Sequence, residues 1–336
     1  MKIYLLFALM PFISNCQQQP VKTENQQNMM NTNSQILTRK NYVDVMSNKI
    51  KKYPTEPYYF LEIENILGCT YEIFVNDMPV FKYYSDKQLS SQIDIQWYLL
   101  KSGPQKITYK LYPIGKRENG DRIDELLDWT KFEINLLSID KSKPNPYMSK
   151  KVLMEYKAPN NSQNNKFVGS GQKFYESIFT FNAKLPYENA GWSRSMDLRK
   201  IDRSKLLKMT VSAYTDMWNL INDKKEDAFL SCFYKKEVES SQSEYSHQED
   251  LSGDLEAYLK PFSESSFKLE PIQDYKLCIY GDGKIAALEL NSADIRMKGK
   301  SALWGTYKNA AGSTIGNFRK LYLHIPKGKT AFEIIR

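Results

Sequence analysis

Of the side chains able to act as nucleophiles, bases or metal ligands, this chain carries two histidines, His247 and His324, and four cysteines, Cys16, Cys69, Cys232 and Cys278. Two isolated imidazoles and cysteines without CxxC spacing leave no set for a zinc site. Hydrolysis through a serine or cysteine requires a base held beside the nucleophile, and no GxSxG elbow is present. His247 falls in a polar stretch, residues 240–250, and reads as a solvated loop residue. His324 falls on a strand pattern, opposite in face to Leu323 and Ile325, and reads as a surface or core-edge residue. Gly169-Ser170-Gly171 lacks the strand-then-helix context of a phosphate cradle. Asp202 and Asp216 lie fourteen residues apart on one helical pattern and do not form a facing pair. A carboxylate-based hydrolase needs a defined separation between two acids, which sequence does not supply. The expectation is a chain with no catalytic constellation, no metal and no cofactor.

Cys16 is different, because its chemistry is set by what precedes it. Residues 1–15 hold one lysine, an apolar run and then small or polar residues, the layout of a secretory signal. The run is too short to span a bilayer, which takes about 20 apolar residues. Ile13-Ser14-Asn15-Cys16 resembles the signal of bacterial lipoproteins, in which the cysteine is acylated and becomes the first residue of the mature chain. Asn15 departs from the Gly or Ala usual at its position. The resemblance implies lipidation at Cys16 and a protein anchored to a membrane of the bacterial cell envelope, facing the periplasm or the cell surface. Residues 17–34 are rich in Gln, Asn and Thr without apolar periodicity, which suits a flexible tether.

Composition narrows the remaining classes. Hydrophobic residues make up 41% of the chain and charged residues 26%, an ordinary globular balance. The 23 tyrosines favour a strand-rich body. The net charge of +8 comes from lysines and arginines interleaved with acids, without the basic stripe of a nucleic-acid binder. Anionic partners or lipid headgroups are favoured, and nucleic acid is not expected. Besides Cys16 three cysteines remain, so at least one is free. Cys232 and Cys278 are read either as a disulfide in an oxidising compartment or as buried reduced thiols.

The elements that would position any site come in three blocks. Alternating apolar residues predict strands over residues 58–65, 70–75, 78–83, 92–97, 107–112, 130–137, 151–156 and 174–185. In residues 92–97 the pattern sets Ile93, Ile95 and Trp97 on one face against Gln92, Asp94 and Gln96. At Asp202 the period changes, and Leu207, Val211, Tyr214, Trp218 and Ile221 recur at helical steps after a capping Asp or Ser. Shorter helices are predicted at 228–234 and at 251–259, the latter stopped by Pro261. Strand patterns then return at 267–272, 275–280, 284–290, 303–308, 320–325 and 331–335, with Gly281-Asp282-Gly283 as a hairpin turn. The fold class is mostly β plus α+β: an antiparallel β-sandwich over 58–200, then a smaller helix-then-antiparallel-sheet domain over 201–336. Residues 1–15 are the signal peptide and 16–57 the anchor and tether. The element order of 202–336 resembles the nuclear transport factor two-like (cystatin-like) fold, and the resemblance implies a cone with a pocket between its long helix and its sheet.

Aromatic residues are the remaining binding candidates, each weighed against simple core packing. Trp192 and Tyr187 lie on a loop, residues 186–192, and are the candidates for stacking on a glycan or meeting a protein. Trp304, Tyr307 and Tyr214 would sit at the mouth of the cone pocket. The expected function is a non-catalytic envelope lipoprotein that binds a protein partner, in its sharper form an immunity protein against a secreted toxin. The alternatives are a binder of a small molecule or glycan, and a hydrolase with a carboxylate site.

Overall fold

The computed structural model describes residues 37–117 and 119–336. Cys16, the apolar leader and the tether up to residue 34 lie outside the described residues. Among the described residues no helix is long and apolar enough to cross a membrane.

A short helix, α1 (Tyr42–Ser47), precedes the strands. The alternating patterns then form β1 (Pro57–Leu67), β2 (Thr70–Val75), β3 (Met78–Tyr83), β4 (Gln92–Asp94) and β5 (Gly103–Tyr112). A small hairpin of β6 (Gly115–Lys116) and β7 (Arg122–Ile123) follows, and then β8 (Lys131–Asp140), β9 (Lys151–Lys157) and β10 (Tyr175–Ala183). Two antiparallel sheets result, in the orders β4-β1-β8-β9 and β10-β5-β2-β3. Leu61, Ile63, Ile134 and Leu136 of the first sheet meet Ile73, Ile107, Tyr109 and Leu111 of the second in one core. Each such side chain contributes about 1.5–3 kcal/mol on burial. Tyr109 stacks on Phe132 across the sheets, with ring centroids 4.1 Å apart. Asn76 and Asp77 join β2 to β3 with φ of 51° and 63°, the left-handed pair a two-residue hairpin loop demands.

The second half holds α2 (Arg203–Asn222), α3 (Glu226–Cys232), α4 (Tyr234–Glu244) and α5 (Gln248–Ser263). Seven short strands follow: β11 (Lys268–Leu269), β12 (Tyr275–Tyr280), β13 (Ile285–Leu290), β14 (Trp304–Lys308), β15 (Thr314–Phe318), β16 (Leu323–His324) and β17 (Glu333–Ile334). They form two sheets, β11-β14-β15 and β12-β13-β16-β17, joined by a bridge between Glu289 and Ser301. Asp202 caps α2 by accepting a hydrogen bond from the Lys205 amide at 2.8 Å. The buried stripe of α2 runs through Leu206, Thr210, Ala213, Tyr214, Met217 and Ile221, so its centre is rotated from the one the sequence suggests.

Several expectations are corrected. Gln96 is fully buried in a 3-10 turn, Gln96–Tyr98, instead of lying on an outer strand face. It accepts from the Tyr59 amide at 3.0 Å and donates to Tyr187 Oη at 3.0 Å, so its polarity is satisfied inside. Pro261 does not stop α5, which continues to Ser263. Proline leaves the carbonyl four residues earlier without its helical donor, and Arg319 Nη2 supplies one to Ala257 O at 2.6 Å. Within the polar residues 240–250, His247 to Asp250 are exposed as expected, but residues 240–246 are largely buried. Ser240, Ser241, Gln242 and Ser243 are buried on α4, and His247 is the N-cap of α5, its amide donating to Asp250 at 2.8 Å. Cys69, Cys232 and Cys278 are free thiols, and burial pushes the Cys232 and Cys278 thiols up to about 11.

Side chains of the second half join the sandwich core, and residues ahead of the strands pack on the helices. Tyr280, Ile285, Ala287, Tyr322 and Ile335 from the second half complete the sandwich core. Residues 37–57, expected within the tether, strap across the helices: Leu37, Tyr42 and Met46 are buried against Leu251, Leu255 and Leu259. Gln242 receives the Lys51 amide and donates to the Lys51 carbonyl, at 2.8 and 3.0 Å. The C-terminal Arg336 is buried as well, donating to Trp97 O at 2.8 Å and pairing with Glu239 at 3.1 Å.

Candidate functional site

Tyr214 points from α2 through the second-half sheet, and its hydroxyl is held on both sides. It donates to Leu321 O at 2.8 Å and accepts from the Leu288 amide at 3.0 Å. On the far side of that sheet lies a cleft of about 300 Å³. The edge strand β3 and its extension to Tyr84 form one wall, and β13 with residues 295–301 forms the other. Tyr214, Leu288, Phe318 and Tyr322 supply apolar floor, while Phe81 and Ile295 supply apolar wall.

Four lysines enter this cleft: Lys82, Lys298, Lys300 and Lys320. Lys82 is committed. Its ammonium lies 2.6 and 2.7 Å from the Glu289 carboxylate oxygens and 3.0 Å from Tyr280 Oη, which itself donates to Glu289 at 2.7 Å. This buried group ties β3 to β12 and β13. The other three have no ion-pair partner among the described residues. Lys298 lies 4.5 Å over the Tyr84 ring and Lys300 lies 4.4 Å over the Phe318 ring, so aromatic faces hold these ammonium groups at the cleft. Glu289 is thus the single carboxylate among the lining residues, facing four cations.

A second pocket, of about 490 Å³, contains Ser195 and His324. Ser195 Oγ and His324 Nδ1 share a hydrogen bond at 2.7 Å, the first contact of a nucleophile–base pair. Glu333 lies opposite His324 in the strand register, but its carboxylate is bound by Lys235 and Lys329. His324 Nε2 has no partner. Burial pushes the imidazole down to about 4, Glu333 opposes that, and Lys235, Arg336 and Lys329 reinforce it. General-base catalysis requires the imidazolium to form in the transition state, and this environment opposes it. The pair fixes the loop at residue 195 to β16.

The residues singled out from sequence do not converge on one site. Trp192 lies on its loop, but its ring is 5% exposed and packs in the sandwich core, with the Arg336 guanidinium 5.6 Å from it. Tyr187 is buried, and its hydroxyl donates to Leu99 O at 3.2 Å. Neither ring is available to stack on a sugar, which corrects the expectation for that loop. Trp304 stacks on Phe318 at 5.3 Å, and Tyr307 lies under Lys260 at 4.9 Å. The space expected between the long helix and its sheet is filled by Tyr214, Met217 and Ile221 against Ala286 and Leu288. Of the five, Tyr214 alone lines the cleft. Tyr214→Phe would leave the Leu288 amide and Leu321 carbonyl unpaired, an expected loss of about 1–3 kcal/mol in chemical denaturation.

A third feature lies on the open side of the sandwich. β9 and β10 are the edge strands of their sheets on the same side, where Tyr156 stacks on Phe179 at 4.1 Å. Among the described residues ten large hydrophobic side chains are exposed, and seven belong to these strands or the segments flanking them: Tyr147, Met148, Val152, Leu153, Val168, Phe174 and Ile178. A bulge falls at Leu153, between the paired residues Val152 and Met154; Lys151 is exposed on β9, while Lys150 and Lys157 pair with Glu62 and Glu133 at 3.0 and 3.8 Å. Bulges and lysines deter edge-to-edge self-association. No protein-family model, curated protein or solved structure matches the chain.

Proposed function

We propose that the protein is a non-catalytic envelope lipoprotein, anchored through Cys16, which binds an extended segment of a protein partner along the β9–β10 side of its sandwich. The observation that carries this reading is the concentration of exposed apolar side chains at two open strand edges. Exposed apolar surface of this kind marks interaction sites, and an open edge offers unpaired backbone groups to an added strand. Lys151, exposed on the β9 edge, disfavours a second copy of this edge and favours an acidic group on the partner strand. A toxin secreted by a rival cell would be such a partner, in which case the protein confers immunity.

The test is capture from envelope and secreted fractions by the chain from residue 17. The tag belongs at the N-terminal end, because Arg336 is buried. One stoichiometric partner is expected, retained by the parent chain and lost by Leu153→Lys/Ile178→Lys with unchanged thermal midpoint. Retention of the partner by that variant would sink the edge reading. If the partner is a toxin, deletion of the protein sensitises cells in competition, and unchanged survival counts against immunity.

A further inference from the structure

We propose that the cleft between β3 and the second-half sheet binds a small organic oxyanion with an apolar body, a ligand class independent of the partner at the sandwich edge. Three features combine there. The cleft is concave and, at about 300 Å³, sits at the lower end of small-molecule sites. Its floor is aromatic and aliphatic, formed by Tyr214, Leu288, Phe318 and Tyr322. Its cations exceed its carboxylates, and the one carboxylate, Glu289, is already saturated by Lys82 and Tyr280.

Lys298, Lys300 and Lys320 are exposed residues of the cleft lining, and Lys300 also acts on Asp294, so an incoming anion meets cations that no carboxylate lining the cleft holds in an ion pair. Their chemistry selects the ligand. Ammonium groups donate hydrogen bonds and accept none, so the polar end they receive must be an acceptor carrying negative charge. Lys298 and Lys300 rest on the Tyr84 and Phe318 rings, which positions them beside apolar surface, where a nearby ion pair is screened less than in open water. A wholly inorganic anion would leave the aromatic floor unused, and a neutral apolar molecule would leave the lysines unpaired. A carboxylate or phosphate ester on a ring or a short aliphatic chain satisfies both.

Isothermal titration of the chain from residue 17 with octanoate, octyl phosphate, octanol and octylammonium tests this. Expected is saturable binding of at least one of the two anions about tenfold tighter than octanol, the equivalent of roughly one charge-assisted contact, with no binding of octylammonium. Lys298→Ala/Lys300→Ala should weaken the anion about tenfold or more, and Lys151→Ala, on the sandwich edge, should leave it unchanged. Ile295→Trp, which fills the wall, should block it without altering the lysines. Equal binding of the anions and octanol would overturn the proposal, as would absence of saturable anion binding or an unaffected double-lysine variant. Binding to phosphatidylglycerol vesicles without binding to either soluble anion would also overturn it, and would assign these lysines to a membrane surface. Partner capture at the β9–β10 edge is read separately, so neither result stands in for the other.

Discussion

Lys236→Met is expected to cost the fold about 3–5 kcal/mol, the range for breaking one member of a buried ion pair. Lys236 and Glu237 are neighbours on α4, their side chains 6% and 4% exposed and 2.6 Å apart. Glu237 also accepts from Tyr42 Oη at 3.0 Å and from Tyr258 Oη. The lysine lies over the rings of Trp97, Tyr258 and Phe233, at 5.3, 5.2 and 5.9 Å. Burial, followed by the Glu237 charge, raises the Tyr42 and Tyr258 hydroxyls above their usual range, so neither gives up its proton. Without the ammonium, the carboxylate would be left charged among rings with two hydroxyl donors. Lys236→Met/Glu237→Leu removes both charges but takes the acceptor from the Tyr42 and Tyr258 hydroxyls, so recovery of the loss should require Tyr42→Phe/Tyr258→Phe as well. Tyr42 belongs to α1, so the single variant should also speed amide exchange over residues 37–57. Guanidinium denaturation of these variants decides it. A loss below about 1 kcal/mol, the worth of an exposed pair, would mean that the site is wetter than its geometry.

That cluster also marks where sequence patterning fails. The strands of residues 58–65, 107–112 and 275–280 and the helix after Asp202 are legible because one face is apolar at a fixed period. The hairpin at Gly281-Asp282-Gly283 is legible because its residues adopt the left-handed backbone it needs, with φ of 61°, 53° and 87°. Residues 234–246 are polar, and their burial is decided by groups far away in the chain: Tyr42, Lys51, Arg336 and the Gly191 amide. Gln96 is hidden for the same reason, since its partners are Tyr59, Pro57 and Tyr187. The loop position of Trp192 is legible, whereas its burial comes from residues far off in the chain, the sandwich core and Arg336. The cleft lysines come from β3, from residues 298–300 and from residue 320, and no local pattern joins them. Residues 151–157 read as a strand, but its place at the edge of its sheet follows from topology.

Glu244→Gln is expected to stabilise the protein at pH 8 by up to about 3 kcal/mol and to leave it unchanged near pH 4. Burial pushes the Glu244 carboxyl from its ordinary 4.5 up to about 7, with the Trp97 side chain and the Lys141 charge opposing the shift and the Asp254 and Glu237 carboxylates adding to it. Between those values the folded chain keeps a proton that the unfolded chain has released, so stability is present at low pH and lost as pH rises through 7. Asp254, raised to about 6 chiefly by burial, acts in the same direction. His324 acts in the other: lowered to about 4 by burial, it stays neutral while the unfolded chain protonates below 6.5, and stability falls as pH drops. The parent protein should therefore lose stability as pH rises from about 4 to 7, because two raised acids outweigh one lowered histidine. Glu244→Gln leaves Asp254 and His324 opposed and should flatten the profile, whereas His324→Asn removes the opposing slope and should steepen the fall. Urea midpoints at half-unit pH steps separate the two slopes. Parallel profiles for the parent and both variants would show that these groups titrate as they do in water, and that the helices around α4 are open to solvent.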